Sequence, residues 1–251
     1  MTVFVCGNSH VSVLARANGQ GTRAQAATTG GILVFPMGNG SFERTPFSAA
    51  GAGGVVFTEP SYAANLHRFA GREAITPGPD FWAFLVGTHN ARVYREEAWR
   101  THEPAEIARP GAVPVSRAVI TAIFDEDARH ILAFLRQVKA AGIQAAVLSA
   151  PWPRANHRCI LTGTRPEVVA YLDAVCRARF QAQVAEIGLD FIDAPPETRD
   201  ALGLLRPEFN PPEEKHDAHH ANVAYAEIMM ARLRAYLAGR GIMPPDARDA
   251  A

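Results

Sequence analysis

Ser9 is the first residue of this chain whose type and position could do chemistry. It sits in "VFVCGNSHVSV", where a run of apolar β-formers stops at Gly7 and apolar residues resume after His10. Glycine allows the backbone to turn sharply at such a point. A serine between a strand and a helix is either a cap, accepting a backbone N–H, or a nucleophile, which needs a base. The far end of the chain offers that base in "EEKHDAHHANVAYAEI", where Asp217 and His220 stand just ahead of an amphipathic helix. At their spacing the carboxylate can hold the imidazole Nδ1–H, fixing the tautomer and leaving Nε2 to take a proton. Two other readings stay open. Asp217 can be a cap beside surface histidines, or His216, Asp217, His219 and His220 can be metal ligands. His216 and His220 share a face only if the helix begins before Asp217, and "NPPEEK" argues against that.

Residues so far apart in sequence need a scaffold that brings them together. Strands are expected at Val3–Cys6, Ile32–Pro36, Val55–Thr58, Phe81–Val86, Ala145–Ser149 and Leu189–Asp193. Most are short continuous apolar runs, as in parallel strands covered on both faces. Helices fall between them. Asp127–Ala141 puts Ile131, Leu135 and Val138 on one face. A longer helix opened by Pro166 carries Val169, Leu172, Cys176, Phe180, Val184 and Ile187. The last helix carries Ile228, Met229, Leu233 and Leu237 before Gly239 and Gly241 end it. This alternation predicts one three-layer α/β/α domain over residues 1–243, with a mostly parallel central sheet and a disordered tail over 244–251. Gly38–Gly54 and His89–Ser116 are expected to be irregular. In open α/β sheets ligands bind beyond the carboxyl ends of the strands, which is where Ser9 falls.

Composition narrows the function classes. The formal net charge of the 251 residues is zero, which gives no electrostatic reason to expect nucleic acid or an acidic membrane surface. Three cysteines, Cys6, Cys159 and Cys176, form no close pair, so neither a disulfide framework nor a zinc ribbon is expected. No basic segment followed by a long apolar one opens the chain, and no apolar run reaches membrane-spanning length. The expectation is a soluble, cytoplasmic protein without a membrane partner. Oligomeric state is not legible here.

The two end motifs together carry a resemblance. "VFVCGNSH" resembles the first block of the bacterial SGNH, or GDSL-type, serine hydrolases, which reads Gly-Asp-Ser. "DAHHANVAY" is similar to their last block, Asp-x-x-His-x-Asn followed by Tyr, with Asp217, His220, Asn222 and Tyr225 on its positions. The upstream "LRPEFN" resembles the approach to that block. The resemblance implies a flavodoxin-like fold, with Ser9 as nucleophile, His220 as base and Asp217 as its orienter, and with no cofactor or metal. It also implies an oxyanion hole. Ser9 N–H and Gly38, which ends "ILVFPMG" with Gly40 close behind, are its first candidates. "FLVGTHNARV" resembles the block that supplies the third donor, but Thr88 and His89 follow Gly87, so Asn90 is the candidate and His89 the substitute. Asn8 replaces the usual Asp, a residue that mainly braces the turn.

Trp152, in "LSAPWPRANH", and His10 are candidate walls of the substrate pocket, with plain packing as the other reading of Trp152. Val93, Tyr94 and Trp99 are either a cover over the site or a packed surface loop. The activity expected from this set is cleavage of a small-molecule or carbohydrate-borne O-acyl ester through an acyl-enzyme on Ser9. Acyl transfer or thioester hydrolysis would use the same residues, and a catalytically weak ligand-binding protein stays open.

Overall fold

Successive apolar residues along a strand put both faces of a sheet into the core. In the computed structural model of the chain, which describes residues 1–19, 31–87, 91–211 and 219–243, every residue of the first strand is buried. That strand, β1 (Val3–Gly7), leads into α1 (Val11–Ala17) and β2 (Ile32–Pro36). A hairpin of β3 (Ser48–Gly51) and β4 (Gly54–Phe57) follows, then α2 (Pro60–Asn65) and β5 (Phe81–Leu85). The next segment holds α3 (Ala91–Tyr94), β6 (His102–Pro104) and β7 (Val113–Val115). The remaining elements are α4 (Arg117–Ala140), β8 (Ala145–Leu148), α5 (Arg158–Leu161), α6 (Pro166–Ile187), β9 (Asp190–Ile192) and α7 (Val223–Gly239).

The main sheet runs β2-β1-β5-β8-β9, and every pairing in it is parallel. This is the doubly wound, flavodoxin-like order, whose direction reverses between β1 and β5; the carboxyl side of that gap is where such folds bind ligands. Val5, Val34, Ala83 and Leu148 point to one face, where they meet Leu14 of α1 and Met229 and Leu233 of α7. Phe4, Phe35, Phe84 and Val147 point to the other face, against Phe124 and Leu135 of α4 and Cys176 of α6. The three-layer α/β/α architecture expected from the alternation is the one observed.

Three expectations need correction. Val55–Thr58 is not a strand of the main sheet: β4 pairs antiparallel with β3 in a separate two-stranded unit. A short apolar run reads the same in either setting, since Val55 and Phe57 are buried against the helical layer in both. The helix expected from Asp127 begins at Arg117, where the Ser116 hydroxyl accepts the Val119 N–H at 3.4 Å. Exposed Val119 and Ile123 had blurred its apolar stripe. The segment before it is not a cover, because Val93, Tyr94 and Trp99 are buried in the main core and Trp99 Nε1 donates to the Val93 carbonyl at 2.7 Å.

Among the described residues the cysteines are free and buried, and no helix is long and apolar enough to cross a membrane. The expected tail at 244–251 lies outside the described residues.

Candidate active site

The turn after β1 has no room for a side chain at its first residue. A Cβ on Gly7 would lie 2.2 Å from the Leu85 carbonyl oxygen of β5, so the two strands close on a bare backbone. Asn8 follows, buried, and does the bracing expected of it. Its Oδ1 accepts the His10 N–H at 3.2 Å, and its Nδ2 donates to Oε1 of buried Glu43, also at 3.2 Å. His10 is the first residue flanking α1 and makes no side-chain cap. Ser9 stands exposed between two buried neighbours. The cap reading of Ser9 therefore fails: Asn8 takes the backbone N–H, and the Ser9 hydroxyl points elsewhere.

It points at the other end of the chain. His220 Nε2 lies 2.9 Å from Ser9 Oγ. The placement of His220 follows from Asn222, two residues on. The Asn222 side chain caps α7 by accepting the Tyr225 N–H at 3.1 Å, and its amide donates to the carbonyls of Glu208 and Asn210 at 2.8 and 3.1 Å. The "LRPEFN" segment is thus the shelf on which the histidine segment rests. Buried Arg154 reaches the same segment, with Nη1 3.5 Å from the His220 carbonyl. Asp217, the expected orienter, lies outside the described residues, as do Asn90 and His89, the expected third oxyanion donors, and His216.

The loop after β2 packs on the same turn, against Gly7 and Asn8. Met37 N–H donates to the Gly7 carbonyl at 2.7 Å, and a Cβ on Gly40 would sit 3.2 Å from the Asn8 side chain. At Gly38 a Cβ would lie 2.7 Å from the Tyr62 ring, so only glycine fits. Tyr62 also holds the loop by donating its hydroxyl to the Asn39 carbonyl at 2.9 Å. Among the described residues neither the Ser9 nor the Gly38 N–H has an acceptor.

His10 is buried, with its ring centroid 4.7 Å from that of His220 and 5.4 Å from that of His219. Trp152 is a packing residue. It is buried, its Nε1 donates to the Pro195 carbonyl at 3.2 Å, and the guanidinium groups of Arg177 and Arg199 lie over its ring at 4.2 and 5.0 Å. His219 is more than a surface neighbour. Its ring lies 4.3 Å from that of His220, and its Nδ1 is 3.1 Å from Nη2 of Arg95.

The metal question changes shape. Ligand nitrogens of His10, His219 and His220 lie within 4.8 Å of one another, a donor set suited to zinc. An ion held there would draw His220 Nε2 away from Ser9. A second pairing of nucleophile and imidazole is inert: His157 Nδ1 lies 2.9 Å from Cys159 Sγ. Burial, then the charges of Arg95, His219 and Arg154, push His157 down to about 3, and burial pushes the Cys159 thiol up to about 11. Both are neutral at pH 7, so no thiolate forms.

Sequence reasoning missed Glu43, Arg95 and Arg154. Glu43 and Arg95 lie in stretches expected to be irregular, and Arg154 stands in the Trp152 segment without a role read for it.

No family model matches the chain, and no curated protein matches it in sequence. Solved structures do match it. A "putative acylhydrolase" from Bacteroides fragilis is similar at TM-score 0.50 and 11% identity, over 96% of this chain and 88% of that one. A GDSL-like lipase from Bacteroides thetaiotaomicron is similar at TM-score 0.49 and 11% identity, over 93% and 88%. At such identity the likeness is one of fold. What is shared with the Bacteroides fragilis structure is the α/β fold with its mostly parallel central sheet.

Proposed function

We propose that this protein is a serine hydrolase that cleaves carboxylic esters of small molecules or carbohydrates. The observation that carries the reading is the 2.9 Å approach of His220 Nε2 to Ser9 Oγ, just beyond the carboxyl end of β1. Ser9 Oγ attacks the acyl carbon while its proton passes to His220 Nε2. The negative charge that builds on the carbonyl oxygen is met by the Ser9 and Gly38 N–H groups, each worth about 2.7–4 kcal/mol in the transition state. Collapse breaks the bond to the alcohol oxygen, which leaves with the proton from His220. Water then attacks the acyl-serine, gives a proton to Nε2, and the acid departs as Ser9 recovers its hydrogen. No step needs a cofactor. Asp217 is the orienter of His220 and Asn90 the third donor in this reading, both on the strength of the motif resemblance. The same resemblance, joined by the fold shared with an acylhydrolase, supports ester cleavage as the reaction.

The test is turnover of p-nitrophenyl acetate by Ser9→Ala. Activity is expected to fall by several orders of magnitude with the melting temperature unchanged, because the Ser9 hydroxyl caps no helix. Near-normal turnover by a folded variant overturns the reading.

A further inference from the structure

A cleft of about 410 Å³ opens beside the catalytic pair, with His219 on its wall and three arginines, Arg95, Arg100 and Arg158, around it. Glu97 also lines it, but that carboxylate is engaged by Arg100 at 3.1 Å. Among the described residues, Arg95 and Arg158 have no carboxylate partner. Arg95 instead spends one donor on His219, whose ring lies tilted against that of His220 at 4.3 Å. Among the described residues that line the cleft, the arginines outnumber the one carboxylate by two, and the cleft reaches His219. Thr162 adds a hydroxyl to the wall. Arginine forks suit planar carboxylate and phosphate groups.

We propose that this cleft is an anion subsite of the active site, and that the esters this protein cleaves carry a carboxylate or phosphate group. The inference rests on the serine-hydrolase reading for the position of the scissile bond. It adds the substrate class. Arg95 and Arg158 hold the anion, and His219 links the subsite to His220.

Two matched pairs of esters test it. Mono-p-nitrophenyl glutarate against p-nitrophenyl butyrate puts the charge on the acyl part. 4-Acetoxybenzoate against its methyl ester puts it on the alcohol part. In at least one pair the charged ester is expected to show about tenfold or greater kcat/KM over its neutral partner, carried mainly by KM. In Arg95→Gln/Arg158→Gln that ratio is expected to collapse toward one, with Arg95→Lys intermediate. Equal rates in both pairs, with no change of ratio in the double variant, overturn the subsite while the hydrolase reading stands. If no ester is turned over and Ser9 does not react with a fluorophosphonate, the hydrolase reading fails, and calorimetric titration with glutarate decides the subsite alone. Binding that the double variant loses supports it; no binding by the parent protein overturns it.

Discussion

Asn8 Nδ2 donates to Glu43 Oε1 at 3.2 Å, and both side chains are buried beneath Ser9. The pairing accounts for the amide where the resembling family has a carboxylate: Asp at this position would face Glu43 across a dry gap. Asn8→Asp is expected to lower stability, because two carboxylates that close cannot both ionise. One pKa rises in the folded state above its unfolded value, so the folded form binds more protons and the deficit grows as pH rises above about 4. Urea unfolding at pH 5 and pH 8 checks the sign. Adding Glu43→Gln restores a donor–acceptor pair and should remove most of the deficit; a deficit that shrinks with pH contradicts the pairing.

The register of the histidines is testable directly. His220 touches Ser9, whereas His219 touches Arg95 and the His220 ring. His220→Ala is expected to lower kcat by about 10⁴-fold or more. His219→Ala removes a wall and a brace but no proton carrier, and is expected to cost about tenfold or less. The reverse order in steady-state rates would move the base by one residue.

The three-histidine cluster predicts the response to metals. Zinc is expected to inhibit by binding the imidazoles of His10, His219 and His220 together. Dialysis against EDTA should then restore full activity. Activity that EDTA abolishes and zinc restores would mean that the ion, and not Ser9, does the chemistry.

His157 predicts the acid side of stability. Burial holds it at about 3 in the folded protein, against about 6.5 when unfolded. Its folded pKa is depressed, so stability is fully present above about 6.5 and is lost as pH falls toward about 3. The loss is roughly 1.4 kcal/mol per pH unit, or about 2 kcal/mol by pH 5. His157→Gln should flatten the slope of unfolding free energy against pH by about one proton in that window. An unchanged slope assigns the acid sensitivity to other groups.

How much of this was legible depends on the distance over which each interaction acts. The β1 turn reads directly because Gly7, Asn8 and Ser9 are adjacent and the strand before them is continuously apolar. Ile32–Pro36 and Pro166–Ile187 match their expected bounds for the same reason. The Asn8–Glu43 bond crosses 35 residues and the Arg95–His219 contact 124, and neither leaves a local pattern. The start of α4 was hidden by Val119 and Ile123, apolar residues on its solvent face. The β4 strand shows the limit of patterning, since burial alone does not choose between a parallel neighbour and a hairpin partner.

Covalent labelling tests the central claim most directly. The parent protein is incubated with a fluorophosphonate, digested, and mapped by mass spectrometry. One phosphonyl group on Ser9, absent from Ser9→Ala and strongly slowed in His220→Ala, is the result expected of a serine activated by His220. An unlabelled Ser9 in the folded parent, or labelling that persists at full rate without His220, contradicts it.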